Sequence, residues 1–400
     1  MEPQTLLETD LTTKAYRLER VELEHASPAV FVEWSEFLKH KPSDSPMHDA
    51  QWLRECLEED RGNIFVYLLY SGDSLCGLAP FLVKNWPVKW QIGEIALARL
   101  PLKRLCLLGG GPHFPEETAA YELLFSELLG SKNLFDALYL EDVAVDTFFW
   151  KFAENNPVVV RSLSRYMPEP PGPRMLLRLE GSFEEYMGRF SSKHRQTLRR
   201  KARKFQDMAP GETRSTRFTA VEDVDSFVEL ALEISRKTYQ WTLLGGGLRN
   251  PEKLKRHFAL LARQGWFRSY ILFCKDTPCA FVVGYQYGQR YYLDDMGYDP
   301  QWKDYSVGTV LQLGIIEDLT SFNRPNLYDL GEYGPHKEEF ATDKYPQGKL
   351  FLFRRGAYTG IVKAGHRGCN AMTRQVSAFL VRFGWKQKLK KLIRNWSGRS

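Results

Sequence analysis

The chain has 400 residues, of which 43% are hydrophobic and 14% aromatic, enough for a large core spread over about two to three domains. Its formal net charge of +6 is unevenly placed: Lys344–Ser400 holds fourteen Lys or Arg and no acid, Arg189–Lys204 holds eight and no acid, and the remainder nets −16. Two basic segments on an acidic chain exclude a surface that coats nucleic acid along its whole length and favour localised anion contacts.

The opening "MEPQTLLETDLTTK" lacks a basic start and an apolar stretch, so no signal peptide is expected. No run of about 18 uncharged apolar residues suggests a membrane span. The six cysteines are scattered without a C-x-x-C pair. Cys274 and Cys279 flank a turn and read as two reduced thiols before a disulfide or zinc pair. The cytoplasm is the expected location, with no metal.

In chain order, "AYRLERVEL" alternates like a strand, and helices follow over Pro28–Leu38 and "SPMHDAQWLRECLEED". "NIFVYLLYSGDSLCGLAPFLVKN" is a hairpin about Ser71-Gly72-Asp73. A helix near Glu116–Leu129, a strand "LFDALYLED" and a helix near Val145–Glu154 complete the first part. The prolines of "PEPPGP", Pro168–Pro173, mark a linker. A strand "RMLLRLEG" then leads to Ser182–Glu185, a capping-box pattern. Phe183, Met187 and Phe190, then Leu198, Ala202 and Phe205, keep one apolar stripe, with a break at Ser191–Ser192. Helices over Val221–Tyr239 and Pro251–Gln264 precede a meander, "WFRSYILFCKD", "PCAFVVGYQYG" and "RYYLDDMGYD". A helix over Val307–Leu319 and strands "NLYDLG" and "KLFLFRR" close the pattern. Hairpin, meander, helix and strand recur in both parts, which predicts two related α/β halves.

Three segments carry chemistry. "SKHRQTLRRKARKF", Ser192–Phe205, has seven Lys or Arg and one His without an acid. Arg195, Arg199 and Arg203 share a face, and each such pair costs a few tenths of a kcal/mol, about 0.2–0.5. An anion against the helix, or simple solvation, makes it tolerable. In "GYDPQWKDYSVGTVLQ", Ser306 sits where an N-cap belongs, and Val307, Gly308 and Thr309 leave first-turn amides free. That arrangement suits a phosphate, or is capping alone. In "YDLGEYGPHKEEF", Asp329 lies inside an apolar strand, and Glu332, Tyr333, His336 and Lys337 crowd beyond the strand end, where ligands bind in open α/β sheets. The plain alternative is a turn-capping Asp and a solvated helix start.

Together and in this order, these segments resemble the GNAT-superfamily acyltransferases of the CelD-like type, found beside bacterial exopolysaccharide and cellulose genes and distantly related to Fem peptidyltransferases. The resemblance covers roughly Arg174–Phe353 and, more loosely, the N-terminal half. Val307 stands where that family usually has proline, and His336 where it usually has tyrosine. The resemblance implies an α/β fold of tandem GNAT-like domains, each a mixed sheet flanked by helices: an N-terminal domain over 1–170, an acyltransferase domain over 171–355 and a basic amphipathic extension over 356–400.

It further implies transfer of an acyl group from acyl-CoA, or from the phosphopantetheine of an acyl-carrier protein, to an amine or hydroxyl of a small molecule or glycan precursor in exopolysaccharide or cell-envelope metabolism. No cofactor is permanently bound. Donor phosphates would dock at Ser306, Val307, Gly308 and Thr309. Glu332 is the first choice for the base and Asp295 its rival. Tyr298, Tyr305 and His336 are candidates for the thiol proton or the oxyanion. Lys193, Arg195, Tyr305, Asp329 and Lys337 are assigned to substrate, with an Asp329–Lys337 ion pair as the structural alternative. A Fem-type aminoacyl-tRNA-dependent ligase and a non-catalytic nucleic-acid-binding protein are the competing readings. No nucleic-acid-binding fingerprint supports the latter. The segment "RQVSAFLVRFGWKQKLKKLIRNW" sets Val376, Phe379, Leu380, Phe383, Leu389, Leu392 and Ile393 among Lys and Arg. It packs on the acidic body or touches the inner membrane peripherally.

Overall fold

The computed structural model describes residues 15–56, 58–93, 95–238 and 247–382. The N-terminal fourteen residues, Tyr239 and everything from Phe383 onward, including Leu389, Leu392 and Ile393, lie outside it.

Among the described residues, fifteen strands form two sheets. The N-terminal half supplies β1 (Tyr16–Glu22), β2 (Ile64–Ser71), β3 (Ser74–Asn85), β4 (Val88–Ile92), β5 (Ile95–Leu100), β6 (Lys103–Leu107), β7 (Ala137–Ala144) and β8 (Leu163–Tyr166). The C-terminal half supplies β9 (Gly172–Arg178), β10 (Thr213–Phe218), β11 (Ser269–Cys274), β12 (Thr277–Tyr287), β13 (Arg290–Tyr298), β14 (Leu327–Glu332) and β15 (Asp343–Arg354). The hairpin read at Gly72 is present: β2 pairs β3 up to Ser71↔Ser74, and Gly72 takes φ +60°, which glycine adopts without strain.

The large sheet runs β1-β2-β3-β6-β7-β15-β9-β14-β13-β12-β11-β10, with β8 also on β15. Read from either end, three antiparallel pairs lead to one parallel pair, β6 with β7 and β13 with β14. Each parallel pair is bridged by a helix, Thr118–Gly130 in one half and Val307–Ser321 in the other. The two halves are therefore tandem GNAT-like units, each a mixed sheet between helices.

Helices cover both faces of both halves. On one face of the C-terminal half, Tyr186, Met187, Leu198, Phe205, Leu311 and Ile315 pack onto strand residues such as Tyr291 and Tyr328. On the other, Phe227, Val228, Phe258 and Leu261 cover Ile271, Phe281 and Val283. The helix Phe183–Gly188 starts with the expected capping box of Ser182 and Glu185, and Ser191 caps the separate basic helix Ser192–Gln206.

Strand β15 joins the halves. Its residues Asp343–Gln347 pair with β9, and Gln347–Phe353 pair with β7. The proline-rich linker is shorter than its composition suggests, because Pro173 already lies in β9 opposite Pro346. Neither proline can donate to the ladder, so their apposition leaves no amide stranded between them. The helix Ala357–Arg382 then returns to the N-terminal half, where Trp90 Nε1 donates to Val362 O at 3.2 Å.

Candidate functional site

Strands β13 and β14 pair only over Arg290–Tyr292 and Leu327–Asp329. Beyond that point β13 stays with β12 as far as Tyr298, while β14 follows β9 as far as Glu332. A wedge opens between two parallel strands at their C-terminal ends. The register of β12 against β13 shifts there, Gly284 facing Leu293 and Val283 facing Asp295, so Asp294 is the extra residue of a bulge.

Lys337 and Asp295 interact in the wedge. A Cβ placed on Gly331 would lie 3.4 Å from Lys337 Nζ and 4.0 Å from the Leu293 carbonyl, so the amine stands between the strands. Burial pushes the Lys337 amine below its ordinary value, although Asp329, Glu332 and Asp295 pull it back up. Burial pushes the Asp295 carboxyl up, while the Met296 amide, 2.7 Å from Oδ1, and the Lys337 charge oppose that rise. Solvent reaches Asp294, yet the surrounding protein raises its carboxyl by desolvation, offset in part by His257.

Asp329 is not free to react. It is 1% exposed, and Arg174 Nε donates to its two oxygens at 2.9 and 2.8 Å. Arg290 reaches Oδ2 at 3.0 Å, and the Gly331 amide donates to Oδ1 at 2.8 Å. Its ion-pair partners are these two arginines, from β9 and β13, rather than Lys337. Glu332 is open: its side chain is 65% exposed and pairs with Lys349 at 3.2 Å. His336 is exposed, and partial desolvation with the Lys337 charge holds its imidazole low. Tyr298, at the end of β13, is 43% exposed.

Beyond β13 the chain makes a 3-10 turn over Pro300–Tyr305 and starts the helix Val307–Ser321. Ser306 holds the N-cap position in a left-handed conformation, φ 54° and ψ 38°, and its side chain caps nothing. A left-handed residue between two right-handed ones turns successive amides to one side, which makes a concave anion seat. Val307 is buried, a Cβ on Gly308 would meet nothing within 4 Å, and no acid lies in the first turn.

The basic residue that approaches this turn is Lys204, whose Nζ donates to Asp304 O at 2.9 Å and lies 5.1 Å from the Tyr305 ring centre. Lys193 is exposed further along the helix. Arg195 donates to the carbonyls of Gly188 and Phe190 at 2.9 and 2.7 Å, tying the two helices together. The fold brings Asp295, Asp329, Glu332 and Lys337 together, with Ser306–Thr309 and Tyr305 beyond the strand end. Lys193 and Arg195 sit apart.

The matching place in the N-terminal half is filled by its own chain. Gly109, Gly110 and Gly111 follow β6 with φ of 83°, 75° and 155°, and His48 packs on them. Its Nε2 donates to Gly111 O at 3.0 Å, so Nδ1 accepts from Ser43 Oγ at 2.6 Å. Burial pushes the His48 imidazole down to about 4. A Cβ on Gly109 would fall 2.3 Å from that Nε2. The following helix has Glu117 at its N-cap, which disfavours an anion there.

Two surface cavities lie elsewhere. One of about 640 Å³ is flanked by Asp225, Glu252 and Lys255. One of about 400 Å³ lies between the basic helix and the helix Val307–Ser321, over Leu272. Neither contains a residue assigned above to the site.

Arg174 and Arg290 carry no motif, and they stand third in β9 and first in β13. A base near the start of a strand was the one available signal, and it needed a partner 155 residues away in one case.

The described residues form a mixed α/β fold of the GNAT-like kind. Residues 192–340 match the family described as acetyltransferase (GNAT) domain, which spans the basic helix, the wedge and the Ser306 turn. Among solved structures, FemX aligns with 84% of this chain and 97% of its own, at 12% identity and a TM-score of 0.58. A tandem GNAT protein from the clavulanic acid biosynthesis pathway aligns over 86% of this chain and 99% of its own, at 11% identity and a TM-score of 0.46. L-PGS from Bacillus licheniformis aligns over 87% and 98%, at 11% identity and a TM-score of 0.48. No curated protein matches the sequence.

Proposed function

We propose that this protein transfers an acyl group from acyl-CoA to an amine or hydroxyl acceptor, with a single active centre in the C-terminal half. The observation that carries the reading is the wedge between β13 and β14, which holds Asp295 and Lys337 below an anion-ready helix start. GNAT domains use acyl-CoA as co-substrate. In this reading the donor's phosphates lie on the amides of Val307, Gly308 and Thr309, with Lys204 beside them. The acyl thioester then extends into the wedge.

The chemistry needs three events. The acceptor must lose a proton, the carbonyl oxygen must be stabilised as it gains charge, and the thiolate must be protonated as it leaves. Asp295, raised by burial, takes the proton from the attacking nitrogen or oxygen. The Lys337 ammonium faces the oxyanion and supplies a proton to the departing sulfur. The acceptor gains the acyl group and CoA leaves as free thiol. Glu332, exposed and engaged by Lys349, serves the edge of the cleft. His336 and Tyr298 lie at its rim and Tyr305 beside the donor. We place the acyltransferase domain over 171–355 and its N-terminal companion over 1–170. A glycan-precursor acceptor in exopolysaccharide metabolism, and an acyl-carrier protein as alternative donor, follow from the CelD-like resemblance alone.

The test is calorimetric titration with CoA, beside turnover measured as thiol release. Gly308→Leu should weaken CoA binding at least about tenfold, because the added side chain covers the amides. Unchanged affinity would remove the donor from this helix start.

A further inference from the structure

The helix Ala357–Arg382 has two unlike faces. One is seated on the N-terminal half: Val362 is fully buried, and Asn370 Nδ2 donates to Pro168 O at 3.1 Å. Lys363 Nζ donates to Ser164 Oγ at 2.6 Å, and Thr373 Oγ1 receives the Gly93 amide at 3.1 Å. The other face is apolar and open. Ile361 is 59% exposed, Met372 51%, Val376 48% and Phe379 56%. At about 100° per residue these four positions fall within an arc of about 60°, interrupted at Gly365, where the Trp90 ring packs.

The β4–β5 hairpin extends that stripe sideways. Its turn is the one Thr373 holds, and just beyond it Ile95 is 69% and Leu97 59% exposed. β5 pairs only with β4 among the described residues, so an edge strand with apolar side chains faces outward. Exposed apolar groups gathered on neighbouring elements mark an interaction site more often than they stand bare in water.

Charge identifies the occupant. From Ala357 to Ser400 there are ten Lys or Arg and no Asp or Glu. Arg367 and Arg374 are exposed on the helix, and Lys89 and Arg99 on the hairpin. The sequence continues in the same manner, with Lys386, Lys388, Lys390, Lys391 and Arg394 among Trp385, Leu389, Leu392 and Ile393. An apolar stripe flanked by these cations, with Glu94 the one acid in the hairpin sequence, suits a helix lying in the plane of an anionic bilayer. A second copy of this face would bring two wholly cationic helices together, which repulsion opposes. No described helix is long and apolar enough to cross a membrane, so contact would be along the surface. The remainder of the chain, net −16 outside the two basic segments, is repelled by the same surface and would orient this end toward it.

We infer that the stripe of Ile361, Met372 and Val376, with the β4–β5 edge, is a docking surface for anionic phospholipid bilayers. Each arm of the test uses the full chain. Sedimentation with vesicles of phosphatidylcholine alone, and of phosphatidylcholine mixed with phosphatidylglycerol, should show partition at least about tenfold stronger on the anionic vesicles, weakened by added salt. The triple variant Ile361→Glu, Met372→Glu, Val376→Glu should lose at least about tenfold of that partition. All three side chains point to solvent, and circular dichroism checks that the variant folds. Should it misfold, Arg367→Glu with Arg374→Glu tests the charge half separately and should also lose partition. Absence of binding to anionic vesicles, or equal binding to both kinds, would overturn the inference. So would a wild-type dimer, seen by sedimentation equilibrium, that the triple variant abolishes while vesicles stay unbound.

Discussion

Asp295 and Glu332 are both acids near strand ends, and sequence position alone placed Glu332 first. Their surroundings separate them. Desolvation favours the protonated form of Asp295, which brings a carboxylate nearer the value a general base needs, whereas Glu332 is largely in water with Lys349 against it. Asp295→Asn should therefore lower kcat/KM by about 10²–10⁴, with CoA affinity retained, and Glu332→Gln by much less. Steady-state kinetics of the two variants decide it, and the reverse order would restore Glu332. The same desolvation has a stability signature. Above the ordinary carboxylate value and up to its raised one, Asp295 holds a proton in the folded protein that the unfolded chain has already released. Stability therefore falls as pH rises through that window. Asp295→Asn should remove this fall and unfold at higher urea than wild type at neutral pH, but not at acid pH. Replacing Asp329 changes stability in the opposite direction. Losing it strands Arg174 and Arg290, and Asp329→Ala should cost about 3–5 kcal/mol in urea unfolding. The sequence shows Asp329 as a buried acid, but its partners lie on two other strands. Only the register of β9 and β13 reveals them.

At the scale of elements, most of the secondary structure was legible because it follows from periodicity and capping residues, as at Ser182 and Pro251. Other features were not. The start of the helix Val307–Ser321 was visible with Ser306 at its N-cap, but the left-handed turn there, which leaves the hydroxyl out of the cap, was not. Glycine takes that conformation at no steric cost, while other residues pay roughly 1–2 kcal/mol. Ser306→Gly should raise stability by about 0.5–1 kcal/mol without weakening CoA binding, since the amides and not the hydroxyl form the seat. A loss of CoA affinity would give the hydroxyl a direct role. The basic helix shows the same gap between pattern and partner. Its repulsion is relieved in part by Glu339, 3.3 Å from His194 and 3.7 Å from Lys201. Carbonyl groups take up Arg195 and Lys204. Only tertiary packing places Lys204 rather than Lys193 beside the Ser306 turn. Lys204→Glu should raise the Kd for CoA more than Lys193→Glu, and equal effects would mean that the helix acts only as a diffuse field.

The whole molecule is tied together by one strand. Hairpins, meanders and bridging helices repeat in both halves, so the tandem plan could be read from their order, but nothing in "KLFLFRR" reveals that β15 serves both. Its N-terminal residues complete the sheet beside β9 and its C-terminal residues complete that beside β7 and β8. Neither half can lose it without exposing a long strand edge. The two halves should therefore unfold together, although a chain of this length would ordinarily be expected to melt in stages. Gly348 is the place to ask. It lies just past the switch of partners, and a Cβ there would fall 2.7 Å from the Trp150 ring, a buried group that packs in the N-terminal core. Gly348→Ala forces that ring to shift and should cost about 1–3 kcal/mol by overpacking. With β15 as a common element, calorimetry should show one transition displaced to lower temperature as a whole, and CoA should still raise the midpoint of all of it. A thermogram that splits, with an early peak from the N-terminal half and an unchanged later peak that alone responds to CoA, would show that the halves are independent and that the shared strand does not couple them.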